Sequence, residues 1–124
     1  MSYVRIEEDG AGGSRSVDVE VAVDERLFAA GVPPLLVSAP SAATAATFVE
    51  FPSSVRDTDP HPTPRRQFAV ILGGVAETRT TDGAVRRHEA GSVVLLQDTK
   101  GAGHVTTVLE PPFRIMFVAL TDND

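Results

Sequence analysis

The stretch Ser16–Val23, Ser-Val-Asp-Val-Glu-Val-Ala-Val, alternates with a period of two. Val17, Val19, Val21 and Val23 fall on one face, and Asp18 and Glu20 on the other. That is the signature of a strand with one buried and one wet face. The other apolar runs are short, rich in β-branched residues and bounded by Gly, Pro or Asp. This punctuation predicts strands over Tyr3–Glu8, Leu35–Val37, Thr44–Phe51, Gln67–Leu72, Val75–Thr80, Ala84–His88, Ser92–Gln97, His104–Leu109 and Phe113–Leu120. Thr81-Asp82-Gly83 is a hairpin turn, because Asp-Gly tolerates positive φ. Gly73-Gly74 permits a bend or a close approach. One helical turn is expected, over Asp24–Ala30, with Asp24 as N-cap, Gly31 after its last residue and Pro33 as a stop. Ser53–Pro64 is proline-rich and reads as an extended or looping segment. The expected class is all-β, either two packed sheets or a closed barrel, in one domain over residues 1–124.

Composition narrows the function. A net charge of -6 opposes a nucleic-acid partner and an anionic membrane surface, both of which need a positive face. Without cysteine there are no disulfides, thiolate metal sites or thiol nucleophiles. No apolar run approaches the roughly 20 residues of a membrane span, and the charged N-terminus lacks a signal-peptide pattern. A cytoplasmic protein is the expectation. Gly101-Ala-Gly103 precedes no helix and no Gly-Lys-Ser/Thr, so it is not a phosphate loop. The serines lie in no Gly-x-Ser-x-Gly elbow, which argues against a serine hydrolase.

Chemistry concentrates on the histidines. If the segment from His61 is extended, His61, Thr63, Arg65 and Gln67 share a face that continues into Ala69 and Ile71. A polar cluster grading into an apolar floor suits a pocket mouth. His104 and Thr106 share a face of another strand, with Val108 deeper, so two imidazoles and an amide can converge. Arg65 is expected inward, able to hold a carboxylate or phosphate, or else paired with Asp57, Asp59 or Asp98. His88, beside Arg86, Arg87 and Glu89, reads as a surface residue.

The span from His61 to Leu120 resembles the cupin family, in particular a subgroup of small single-domain bacterial cupins. The family's first motif is His-x-His, then Glu, then Gly. Here His61 takes the first His position, Thr63 replaces the second His, Gln67 replaces the Glu and Gly74 matches the Gly. The second motif is matched by Gly91, the strand Val93-Val-Leu-Leu96, Gly101 and His104, with a longer loop before His104 and no proline in it. The resemblance implies a double-stranded β-helix, a jelly-roll barrel, with the motifs in residues 61–120. It also implies a divalent ion (Fe, Mn, Ni or Zn) held by His61, Gln67 and His104, with Asp98 or a water completing the shell. With one ligand lost and the carboxylate replaced by an amide, no anion offsets the ion's charge.

The expected function is a small cupin-like enzyme acting on a small organic molecule inside the barrel. His61 and His104 serve as metal ligands or general bases, and Thr63, Arg65, Asp98 and Thr106 contact the substrate. Isomerase, lyase, cyclase and oxygenase chemistry all remain open. The alternative is a metal-free, non-catalytic binding module. Phe113, Ile115 and Phe117 alternate with Arg114, Met116 and Val118, which suggests that both faces of the last strand are covered, as in a homodimer.

Overall fold

In the computed structural model, which describes residues 1–121, every regular element is a strand. They are β1 (Ser2–Glu8), β2 (Ser14–Glu20), β3 (Asp24–Arg26), β4 (Leu35–Val37), β5 (Ala43–Phe51), β6 (Gln67–Thr80), β7 (Val85–Glu89), β8 (Val93–Leu96) and β9 (His104–Leu120). Seven form one mixed sheet in the order β2-β1-β8-β6-β9-β5, with β7 paired to the second half of β6; β3 and β4 form a separate two-stranded ribbon. β1 and β8 run parallel, and the other pairs are antiparallel. The expectation of an all-β chain is met. Among the described residues no helix is long and apolar enough to cross a membrane.

The helical turn expected at Asp24–Ala30 is absent. Asp24–Arg26 instead pairs with Leu35–Val37, and the chain turns between Ala29 and Val32. A segment this short cannot repay helix nucleation without an apolar face to bury, and Leu27 and Phe28 are largely exposed. β2 also stops at Glu20, short of Val23, which is exposed.

The larger departure is one of continuity. Gln67–Leu72 and Val75–Thr80 are a single strand, and so are His104–Leu109 and Phe113–Leu120. Each carries a bulge: the β6–β9 register shifts between Ile71 and Ala76, where Gly73 faces Arg114 and Val75 faces Glu110. Across the bulge the inward parity changes. Gln67, Ala69 and Ile71 are buried before it, and Ala76, Thr78 and Thr80 after it. On β9 the buried positions are His104 and Val108 on one side of the bulge and Phe113, Ile115, Ala119 and Leu120 on the other. Gly74 enables the crossing. Its φ is 75°, and a side chain there would collide with the main-chain carbonyls of Glu110 and Pro112.

The bulge also bends the sheet. A straight strand of this length would span about 45 Å. Yet Gln67 at one end of β6 and Thr78 near the other line the same cavity. The core formed by this curl contains Ile6, Ala69, Ile71, Val94, Leu96, Phe113 and Ile115, with Phe51 set edge-on to Phe113 at 5.4 Å.

Candidate functional site

The inner face of the bent sheet and the segment 58–64 enclose a cavity of about 120 Å³. One wall is apolar, built from Phe51, Ile71, Val94, Phe113, Ile115 and Phe117; the rest carries three imidazoles, those of His61, His88 and His104, with Thr58, Thr63, Gln67, Thr78 and Thr106.

Main-chain pairing positions His61 and His104. The proline-rich segment runs antiparallel along β9: Thr58 N donates to Thr106 O at 2.9 Å and Val108 N to Arg56 O at 2.6 Å. At its end, His61 and His104 form a bridge in which each amide donates to the other's carbonyl, at 3.2 and 3.1 Å. Prolines suit such a strip, since only selected residues need donate to the neighbouring strand. Gly103 makes the approach possible. Its φ is +72°, and any side chain would strike the His61 carbonyl. The loop bearing Gly103 is anchored by Ser14, whose Oγ donates to Gly103 O at 2.5 Å, and by Ala102 N donating to Gly12 O at 2.9 Å.

The ring centroids of His61 and His104 lie 5.4 Å apart. His104 Nδ1 is 2.6 Å from Asp98 Oδ2, with His104 at 6% exposure and Asp98 at 0%. His61 Nδ1 is 2.8 Å from the Asp59 carbonyl, to which it must donate. Both Nδ1 atoms therefore carry the proton when the rings are neutral, and both Nε2 atoms keep a lone pair with no hydrogen-bond partner among the described residues. Asp98 Oδ1 is the one buried side-chain N or O among the described residues that lacks a hydrogen-bond partner. An orphaned buried carboxylate oxygen costs on the order of 1–3 kcal/mol or more, and such groups call for a functional explanation.

Of the residues singled out in the sequence, the structure brings His61, Thr63, Gln67, His104 and Thr106 to one cavity. Gln67 Nε2 donates to Thr63 Oγ1 at 3.4 Å, and Thr63 N donates to Asp98 O at 3.0 Å. Two placements are corrected. Arg65 is exposed and lies off the cavity, because the chain bends over Pro64–Arg66 instead of continuing extended; Thr63 Oγ1 donates to Arg65 O at 2.8 Å across that bend. Asp98 does not line the cavity either. It stands behind His104 as the ring's partner, and it is not Arg65 that it holds.

Sequence reasoning missed Thr58, Thr78 and, most consequentially, His88. His88 is 3% exposed, not on the surface, and its Nε2 lies 2.7 Å from Thr78 Oγ1. Burial, reinforced by the charges of Arg86 and His104, pushes its pKa down to about 4, so the ring is neutral at pH 7. A signal existed: the Asp82-Gly83 hairpin pairs Ala76 with His88, and Ala76 and Thr78 belong to the inward set opposite Glu77 and Arg79. Arg86, its neighbour in the same polar run, pairs instead with Asp18 at 2.6 Å.

Among the described residues no three His, Cys, Asp or Glu side chains gather as a metal-binding group. The donors facing each other are two imidazoles and an amide. A scan against protein-family models finds no match for this chain, and a search of the curated proteins finds no relative.

Proposed function

We propose that the chain is a small cupin-like enzyme, its bent sheet closing as a jelly-roll barrel around the cavity, and that it moves a proton on a small organic molecule held there. The observation that carries this reading is the buried Asp98–His104 pair at 2.6 Å, which leaves His104 Nε2 as the only ring nitrogen for a ligand. A carboxylate so placed holds the tautomer and stabilises the imidazolium formed when Nε2 takes a proton. The His104 imidazolium can then return that proton to a neighbouring atom of the ligand, while His61 Nε2 beside it accepts a hydrogen bond from a ligand hydroxyl, which makes isomerisation or elimination the best-supported chemistry. Thr63 and Thr106 supply hydrogen bonds to the ligand.

The same two rings support a second reading. Both Nδ1 atoms bonded to acceptors and both Nε2 atoms without one is how imidazoles that bind metal are usually held. A divalent ion at His61, His104 and Gln67 fits in number and type of donor, though no carboxylate faces it to offset its charge. When bound, such an ion would supply Lewis-acid polarisation of a ligand oxygen. A cytoplasmic location and a homodimer belong to the proposal as well. The loop joining β3 to β4 exposes Leu27 and Phe28, β4 exposes Leu36, and the outer sheet face carries an apolar groove that includes Tyr3, Phe68, Val70, Val93 and Val118.

Deuterium incorporation from D2O into a panel of small ketones, aldehydes and enols, followed by proton NMR, tests the chemistry without a known substrate. The wild type should catalyse exchange on at least one member, His104→Gln should abolish it, and Asp98→Asn should slow it. No exchange, or equal exchange by His104→Gln, overturns the proton-transfer reading, and binding without exchange points to a binding module. Metal analysis of protein purified without chelator, beside His61→Ala and His104→Ala, decides the second reading. Stoichiometric metal lost in both variants supports it, and metal content that does not change in either removes it.

A further inference from the structure

The ligand's chemical class can be narrowed from the lining, on the reading that this cavity is the working site. Among the described residues that line it there is no Lys, Arg, Asp or Glu. Arg65, the one nearby cation expected inward, is on the outside; Arg86 is engaged by Asp18; and Asp98 already faces His104. A ligand with a formal charge would lose its hydration here without a countercharge, which is the costliest form of burial.

The neutral groups are better matched. His88 and Thr78 are both buried, at 3% and 6% exposure, and are bonded to each other at 2.7 Å beside the apolar wall. If His88 Nε2 accepts, Thr78 Oγ1 donates to it and can still accept from a ligand hydroxyl. If Nε2 donates, the Thr78 hydroxyl proton is free for a ligand carbonyl. Either tautomer leaves one hydrogen bond of neutral type on Thr78. Burial keeps the imidazole uncharged, so the pair does not become a cation that would favour an anion. The cavity of about 120 Å³ is close to the roughly 150 Å³ that accommodates a benzene ring in a dry protein interior.

We propose that the cavity binds a small uncharged molecule with an apolar body no larger than a benzene ring, and that the His88–Thr78 pair holds its single hydroxyl or carbonyl group. Thr78 is thus a binding residue and His88 a positioning residue that acts through it.

Calorimetric titration of the whole protein at pH 7 with phenol, toluene, benzoate and benzylamine tests this. Phenol should bind, with benzoate and the benzylammonium ion at least about tenfold weaker. Thr78→Val, nearly isosteric, should weaken phenol by about two- to tenfold, the worth of one neutral hydrogen bond, and leave toluene unchanged. Thr78→Ser should keep the wild-type preference, and thermal unfolding of each variant confirms that it is folded. Benzoate or benzylammonium binding as tightly as phenol, no probe binding at all, or equal losses for phenol and toluene in Thr78→Val would each overturn the inference. Tight phenol binding without deuterium exchange would sink the proton-transfer reading alone. Exchange accompanied by tight benzoate binding would sink this inference alone.

Discussion

Acidification should destabilise the protein through His88 before its carboxylates matter. In the unfolded chain this imidazole titrates near 6.5; folded, its pKa is about 4, because burial disfavours the cation and Arg86 and His104 add repulsion. Between those two values the unfolded chain binds the proton and the folded protein does not, so stability falls as pH falls. The gap of about 2.5 pH units, at about 1.4 kcal/mol each, corresponds to about 3 kcal/mol lost between pH 7 and pH 4. For a domain of this size that is on the order of 10 °C in Tm. Urea denaturation across this range measures it, with His88→Gln as reference, since glutamine can bond Thr78 but does not titrate. The carboxyls of Glu7 and Asp82 are also held low, Glu7 by Arg15 and Arg5 against the opposing effect of its partial burial, and Asp82 chiefly by the Thr80 hydroxyl. Their losses come at the acid end and cancel in the difference between the two proteins. Wild type and variant with parallel pH profiles from 6.5 to 4 would refute the buried, neutral His88.

Gly103→Ala should cost about 2 kcal/mol or more in chemical denaturation, because it combines a positive φ with a collision against the His61 carbonyl, and it should erase the His61–His104 amide protection seen by hydrogen exchange. Asp98→Ala should destabilise by about 1–3 kcal/mol by leaving His104 Nδ1 unpaired, whereas Asp98→Asn should recover part of this; nitrogen-15 NMR should show a mixed His104 tautomer in both. Phe113→Ala should cost about 3–5 kcal/mol and enlarge the cavity, measurable by urea denaturation and by stronger toluene binding.

How far these features were legible depended on whether they were local. Period-two alternation marks the burial of Ala69 and Ile71 and of Phe113 and Ile115, because within a regular strand parity propagates unbroken, and the continuous run Val94-Leu95-Leu96 marks a strand buried on both faces. Parity fails where the chain leaves the strand. Arg65 sits on a bend that Thr63 caps, so counting from His61 assigns it the wrong side. The same limit splits β6 and β9 into halves: Gly73-Gly74 looks like a break on its own, and only its apposition to Glu110 and Pro112 of the neighbouring strand makes a matched bulge. His88 was hidden by its neighbours, since the charges of Arg86, Arg87 and Glu89 suggested water when the hairpin register pointed inward. The Asp24–Ala30 helix failed for want of anything to pack on. The meeting of His61 and His104 was anticipated from strand faces, but the agent that joins them, a main-chain bridge admitted by Gly103, leaves no trace in side-chain pattern.

That bridge ties access to assembly. His61 rides on a strip whose amides are bonded to β9, and the same strip walls the cavity through Thr58, Thr63 and Pro64. Were the strip to lift and admit a molecule, the first ring would leave with it and the pair would come apart. On the proposed proton-transfer chemistry, a guest would meet both imidazoles together only with the strip seated on β9.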